Sequence, residues 1–247
     1  MTRCAAEAGA RLHLATERGE LEELSSIVGA GDRLRFLSQQ LHGEMMREVR
    51  WTPHEAERTR DGIDVATLEL DGADLAGIQL ARRWENLAFL RHIGGGKALE
   101  EGSRKAVVAS SAMGCLTITG TDPLAYFVGG RAMQRLWLTA TSLGLAVQPM
   151  TTLLYLFARL ERGDGTRLGL DSSELKTLRG LRSRLAAVFA RRSGEAELLL
   201  FRLTFAEPPS ARSLRRDVDC ALHFENRVAC GSPEDPPLGW GDSWLRG

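Results

Sequence analysis

The sequence contains little cysteine and no excess of charge of either sign. Its 247 residues include only 4 cysteines, which lie far apart, so a disulfide scaffold is excluded and a reducing, cytoplasmic location is predicted. Lysine plus arginine and aspartate plus glutamate each number 32, so no overall field attracts nucleic acid or anionic lipid. We also expect no signal peptide, since residues 1–10 lack an apolar run.

One uncharged run, residues 136–158, is long enough to raise the question of a membrane span. The run also holds several threonines, and Pro149 lies near its middle. Proline interrupts a helix because it lacks a backbone donor and clashes with the preceding turn. The sequence therefore predicts two buried helices on either side of a turn, and no membrane segment.

The motifs for phosphate loops are incomplete. Three glycines precede Lys97, but the phosphate-binding loop needs a glycine and a Ser or Thr at positions occupied by Arg91 and Ala98. The dinucleotide fingerprint also fails, because Leu99 stands where its last glycine belongs. The glycines are therefore interpreted as the end of a helix.

Metal and nucleophile motifs are incomplete as well. His42 and His223 each begin the first half of the zinc deaminase signature, but no Pro-Cys-x-x-Cys follows either of them. A zincin helix would need histidine at Arg58, four residues after His54. No serine lies in a Gly-x-Ser-x-Gly turn. We therefore predict no metal site and no catalytic side chain of these classes.

Local patterns predict an α+β fold with a mostly antiparallel sheet flanked by helices, because strands and helices do not alternate as βαβ units. Strands are predicted at residues 9–15, 105–109, 114–119 and 195–205, and helices at 20–28, 32–49, 81–93, 129–143 and 173–191. In this interpretation Gly29–Gly31 end the first helix and Asp32 caps the next. Gly129 opens a long central helix whose apolar residues predict burial on several sides. One domain is expected over residues 1–228, with an irregular tail at 229–247.

Three arginines follow the last predicted strand. Arg212, Arg215 and Arg216 come directly after Pro208 and Pro209. Guanidinium groups clustered in one turn suit a terminal phosphate. A simple solvated turn explains the same pattern, and the sequence leaves both interpretations open.

The order of these segments resembles flavin-dependent nitroreductases. The resemblance rests on Gly129-Gly130-Arg131-Ala132-Met133-Gln134-Arg135-Leu136-Trp137-Leu138, on Leu143-Gly144-Leu145-Ala146-Val147-Gln148-Pro149, and on residues 198–205 with Ser213-Leu214-Arg215-Arg216. Residues 44–51 and 61–63 resemble the actinobacterial branch, which includes chains fused behind a ThiF-like domain. The resemblance covers roughly residues 5–225 and implies an α+β homodimer with FMN at the subunit interface, NAD(P)H as co-substrate and a small-molecule electron acceptor.

The resemblance also implies site residues. Pro149, Met150, Thr151 and Thr152 match the turn whose backbone lies beside the flavin ring, and Arg212, Arg215 and Arg216 match the basic phosphate turn. The family's opening Arg-x-Ser-x-Arg segment, which holds the same phosphate, has no counterpart in residues 1–30. We therefore expect this chain to begin midway through the family's pattern. The resemblance also implies a fused or separate ThiF-like domain as a partner.

The sequence supports three alternative hypotheses about function. The first is an FMN-dependent NAD(P)H oxidoreductase of nitroreductase type, which passes electrons to a nitroaromatic or quinone-like acceptor. The second is a degenerate, non-catalytic nitroreductase-like module for dimerisation or regulation, suggested by the missing arginine segment. The third is a nucleic-acid binder that uses the basic helix at residues 176–192; equal numbers of acidic and basic residues disfavour it.

Overall fold

The computed structural model describes residues 1–163 and 167–222. The motif at His223 and the predicted tail at 229–247 lie outside the described residues. In chain order the α-helices are α1 (Thr2–Glu7), α2 (Arg18–Leu37), α3 (Gln39–Glu48), α4 (Pro53–Thr59), α5 (Gly72–Ala81), α6 (Trp84–His92), α7 (Glu101–Val108), α8 (Pro123–Ser142), α9 (Thr152–Glu161), α10 (Ser172–Val188) and α11 (Val218–Ala221). The strands are β1 (Ala10–Ala15), β2 (Val49–Arg50), β3 (Ile63–Asp64), β4 (Ala112–Thr119), β5 (Ala146–Pro149) and β6 (Glu195–Thr204).

The chain divides into two compact units. Unit 1 comprises Met1–Arg47 and Asp71–Pro208, and unit 2 comprises Glu48–Leu70 with the described residues from Pro209 onward. Unit 1 contains the four-stranded sheet and most of the helices. Unit 2 contains α4, α11 and the parallel pair β2–β3, in which Val49 lies opposite Ile63.

The sheet of unit 1 has the strand order β1-β4-β6-β5, and every neighbouring pair is antiparallel. Leu116 of β4 lies opposite Leu12 of β1 on one side and Leu199 of β6 on the other. A bulge follows Leu116. The predicted α+β class with an antiparallel sheet flanked by helices is therefore confirmed, as are three of the four predicted strands.

Alternate residues of the sheet enter two separate cores. Met113 and Cys115 of β4 pack with α2, α7, α9 and α10, whereas Leu116 and Ile118 pack with α1 and α8. Successive strand residues point to opposite faces, so a strand covered on both sides is apolar along its whole length. This explains why β4 is buried from Ala112 through Ile118 without the polar alternation of a half-exposed strand.

The predicted end of the first helix at Gly29–Gly31 is wrong. Helix α2 continues through these glycines to Leu37, and Asp32, the predicted N-cap, lies in its interior. A Cβ atom at Gly31 would come within 2.5 Å of Leu153 Cδ2, and one at Gly29 within 2.7 Å of Arg104 Cγ. The glycines therefore allow close approach of neighbouring helices and do not end this one.

Two further boundaries differ from the predictions. The strand predicted at residues 105–109 is wrong, since these residues form the end of α7 and its C-cap, Ala109. Helix α7 packs mainly against α2. Helix α8 begins six residues before Gly129, where Asp122 accepts a hydrogen bond from the Ala125 N–H (3.0 Å). Gly129 lies against Ile118, again at a point of close packing.

Helix α8 is buried along one face. Ala132, Leu136 and Ala140 are fully buried against the sheet, whereas Phe127 and Leu138 on the opposite face are 65% and 59% exposed. The predicted burial of this helix on several sides is therefore wrong for the single chain, because only the face toward the sheet is covered. Among the described helices, none combines the length and the apolar character that crossing a bilayer requires.

Candidate functional site

The turn at Pro149–Thr152 joins the edge strand of the sheet to α9. Pro149 is the last residue of β5 and lies opposite Phe201 of β6. The Met150 N–H donates to the Leu200 carbonyl (2.7 Å), which extends the ladder by one bond. Proline, which lacks an N–H, is suited to such an edge strand. The sheet therefore fixes the backbone of the turn.

Helix α9 begins in this turn without a side-chain cap. Thr151 precedes the helix and forms no capping hydrogen bond through its side chain. From α2, Arg35 Nη1 donates to Thr152 Oγ1 (3.2 Å) and brings a guanidinium group to the first helical residue. The first backbone N–H groups of a helix carry partial positive charge and lack intrahelical acceptors. The turn therefore presents backbone donors and a cation together.

One side of the turn is anchored in the core and the other reaches the surface. Met150 is half-buried and packs against the core cluster that contains Leu153, Leu154 and Phe157. Pro149 is exposed, and so is Tyr155 one turn into α9. In the single chain the turn is therefore open to solvent on one side and packed against apolar side chains on the other. Such a surface suits a ligand whose other side is covered by a second protein surface.

A half-buried carboxyl group, that of Asp32, lies one helical turn before Arg35. Asp32 accepts a hydrogen bond from Ser103 Oγ, which belongs to α7. Burial raises the pKa of Asp32, and the Ser103 hydrogen bond and the nearby Arg35 offset only part of that rise. Sequence reasoning assigned Asp32 to a helix cap; the three-residue spacing from Arg35 on one helix was the available signal for a polar pair.

The three predicted phosphate-binding arginines all lie in unit 2 and are exposed. Arg216 forms an ion pair with Asp61. Arg215 Nη1 donates to the Leu214 carbonyl (3.0 Å), and the Arg215 carbonyl accepts from Arg60 Nε (2.8 Å). Arg212 makes no hydrogen bond or ion pair to any residue that the structure describes.

The structure thus brings the predicted residues together as two groups. Residues 149–152 form one continuous turn in unit 1, and the three arginines form one segment of unit 2. Their assignment to the ring and the phosphate of a flavin stays a prediction.

Unit 1 also contains a cavity that the sequence did not indicate. It measures about 290 Å³ and lies where α1 meets the ends of β1, β4 and β6. Arg11, Thr119, Arg192 and Glu195 contribute its polar lining. The Arg11 side chain is paired with Glu195, and these contacts lower the pKa of Glu195 to about 2. None of residues 149–152 lines this cavity. In the described part of the chain, no group of His, Cys, Asp and Glu side chains is arranged to hold a metal ion.

No protein-family model matches this chain. Over 227 residues the chain is 38% identical to uncharacterized protein MT1398 of Mycobacterium tuberculosis (strain CDC 1551 / Oshkosh), and the alignment covers 87% of this chain and 29% of that protein. The chain therefore spans less than a third of the relative's length. The relative's name states no activity, so this likeness supplies no function.

Two solved structures align with most of the chain. A nitroreductase with bound FMN from Bacteroides fragilis NCTC 9343 is 14% identical, with 93% of this chain and 83% of that chain covered and a TM-score of 0.35. A BluB-like flavoprotein from Clostridium difficile 630 is 10% identical, with 90% and 86% covered and a TM-score of 0.40. At these TM-scores the alignments carry no argument about the chemistry of this chain, and its α+β class stands on the structure itself.

Proposed function

We propose that this chain is an FMN-dependent NAD(P)H oxidoreductase of nitroreductase type, which passes electrons to a nitroaromatic or quinone-like acceptor. The observation that carries the proposal is the uncapped start of α9 at the turn that the sequence resemblance assigned to the flavin ring. Arg35 supplies a cation at the same place. The proposed location is cytoplasmic.

The chemical needs of a flavin support this choice. A flavin site requires an apolar surface for the ring, backbone donors near the redox nitrogen, and cations for the phosphate. Met150 supplies apolar surface, the Thr151 and Thr152 N–H groups are donors, and Arg35 supplies a cation beside them. When bound, FMN supplies the hydride transfer between NAD(P)H and the acceptor. The residues of this chain bind and orient it, and the proposal assigns no proton transfer to a side chain.

We propose that the working form is a homodimer in which a second copy covers the outer face of α8. That face exposes Leu124, Phe127 and Leu138, and monomeric proteins seldom leave large apolar side chains grouped on one surface. Covering it would also exclude water from a ring bound at an interface. Light scattering or analytical ultracentrifugation should give twice the 27.1 kDa chain mass, whereas Phe127→Glu should shift the protein toward the monomer.

The test is reconstitution with FMN. Full-length chain is mixed with excess FMN, desalted, and examined for flavin absorbance at close to one flavin per chain. Consumption of NADH and NADPH is then followed with a quinone or a nitroaromatic added. The Arg35→Gln variant should retain less flavin, whereas Arg18→Gln, which alters an arginine at the other end of the same helix, should behave as wild type. Wild-type protein that retains no flavin contradicts the proposal.

A second candidate is a non-catalytic nitroreductase-like module for dimerisation or regulation, alone or beside a ThiF-like partner. The observation that favours it is the ion pair of Arg216 with Asp61, which occupies one of the three predicted phosphate ligands. Steady NAD(P)H oxidation that depends on an added acceptor would exclude this candidate. A dimer without flavin or turnover would favour it over the oxidoreductase.

A further inference from the structure

The arginine segment of unit 2 is attached at three points to the segment Glu48–Leu70. The Ser210 N–H donates to Glu69 at one end, Arg216 pairs with Asp61 at the other, and Arg60 Nε donates to the Arg215 carbonyl (2.8 Å) between them. Each contact joins residues more than 140 positions apart in the chain. These three contacts therefore hold the arginine segment against the segment Glu48–Leu70.

Asp61 is the centre of this attachment. Its Oδ1 accepts from Arg50 Nη2 (2.7 Å) and Nε (3.2 Å), and its Oδ2 accepts from Arg216. Burial by itself would raise the pKa of Asp61, but hydrogen bonds from Arg50, Thr59 and Arg216 outweigh it and hold the pKa below its ordinary value. The carboxylate therefore remains ionised and bridges two arginines from different parts of the chain.

The contacts divide the three arginines by role. The guanidinium of Arg216 is committed to Asp61, so it holds the segment in place. Arg215 is held through its carbonyl, and its exposed guanidinium donates to the neighbouring Leu214 carbonyl (3.0 Å) and not to a carboxylate of the described residues. Arg212 is exposed and makes no hydrogen bond or ion pair with the described residues. The guanidinium groups of Arg212 and Arg215 are thus exposed on a segment that contacts with Glu48–Leu70 hold in place.

We infer that Asp61 and Arg60 are positioning residues, which hold Arg212 and Arg215 where their guanidinium groups can bind a phosphate monoester. The inference rests on the proposed function in that the phosphate would be that of FMN, and it adds residues that the sequence did not assign to the site. Guanidinium groups bind phosphate through directed, charge-assisted hydrogen bonds, so their position matters as well as their charge.

The inference can be tested at Asp61, because a pure charge effect and a positioning effect predict opposite changes in phosphate affinity. Replacing Asp61 with asparagine removes a negative charge close to an anion site and releases Arg216. By Coulomb's law alone, both changes should strengthen phosphate binding. If Asp61 positions the segment, binding should instead weaken. Asp64→Asn is the matched control, because it removes the same charge three residues away, and asparagine can still accept the Ala66 N–H.

The experiment measures the dissociation constants of FMN and of riboflavin, which lacks the phosphate, by quenching of flavin fluorescence in the full-length chain. In Asp61→Asn we expect FMN affinity to fall roughly tenfold, the loss of about one charge-assisted hydrogen bond. Riboflavin affinity should be unchanged, and Asp64→Asn should bind both flavins as wild type does. Arg60→Lys, which keeps the charge but loses the Nε donor, should lower FMN affinity in the same selective way and serves if Asp61→Asn does not fold.

Several outcomes would overturn the inference. One is an Asp61→Asn protein that binds FMN as tightly as Asp64→Asn or more tightly. Another is an equal loss of FMN and riboflavin affinity, which would indicate general damage to the fold and not a lost phosphate contact.

A second experiment, with inorganic phosphate in place of FMN, distinguishes failure of this inference from failure of the proposed function. The rise in melting temperature with inorganic phosphate is measured at constant ionic strength in wild type, Asp61→Asn and Asp64→Asn. If wild type binds no flavin but is stabilised by phosphate, and Asp61→Asn loses that stabilisation, the oxidoreductase proposal fails while the positioning role stands. If wild type responds to neither FMN nor phosphate, the site itself is refuted.

Discussion

Replacement of Gly31 with alanine tests how α2 packs in unit 1. In an exposed helix interior, alanine is favoured over glycine by about 1 kcal/mol. At Gly31, however, the added Cβ would lie 2.5 Å from Leu153 Cδ2, 2.7 Å from its Cγ and 3.3 Å from its Cδ1. Leu153 is only 2% exposed, so its side chain cannot turn toward solvent to relieve the clash.

The magnitude follows from these opposing effects. Inserting a methyl group into a packed core costs about 1–3 kcal/mol, and the branched carbon of Leu153 lies so close that we expect the upper part of that range. After the helix-propensity gain, Gly31→Ala should lower the free energy of unfolding by about 1–2 kcal/mol. The matched control is Gly43→Ala in α3, where no atom lies within 4 Å of the new Cβ. That variant should gain about 0.5–1 kcal/mol.

Urea unfolding followed by circular dichroism measures both variants. The two proteins should differ by about 2 kcal/mol, which for a chain of this size corresponds to roughly 4–8 °C in melting temperature. Equal stability of Gly31→Ala and Gly43→Ala would refute the packing of α2 against α9 described above. It would favour the sequence interpretation, in which the glycines merely end a helix.

Three further predictions concern charged and titratable groups. Burial, and after it the nearby arginines, lowers the pKa of His13 below its ordinary 6.5. The unfolded chain therefore binds the proton better than the folded chain, so the free energy of unfolding should be highest above pH 6.5 and fall as the pH drops below it. His13→Gln should reduce this pH dependence, measured by urea unfolding at a series of pH values. Glu197→Gln breaks a largely buried pair with Arg182 (2.5 Å) and should cost about 3 kcal/mol in the same assay, whereas Glu101→Gln, at a mostly exposed pair, should cost nothing measurable. Arg35→Gln should weaken FMN binding roughly tenfold in a fluorescence titration, and unchanged affinity would remove Arg35 from the proposed site.

The sequence by itself determined the elements whose pattern is local. The strands predicted at 9–15, 114–119 and 195–205 follow from alternating, β-branched or apolar runs, and each overlaps a strand of the structure. Helix α10 follows from leucines repeated at helical spacing. The turn at Pro149 was also predictable, because proline restricts its own backbone and that of its neighbour. The order of these elements was enough to propose a fold class and a flavin-type site.

Only the tertiary structure decided what the glycines and the charged residues do. Gly31 reads as a helix end until Leu153, more than a hundred residues away, is placed against it. Arg216 reads as a phosphate ligand until Asp61 is brought to it from the other segment of unit 2. Propensity and periodicity depend on neighbours along the chain, whereas a clash or an ion pair depends on a partner that folding brings into contact.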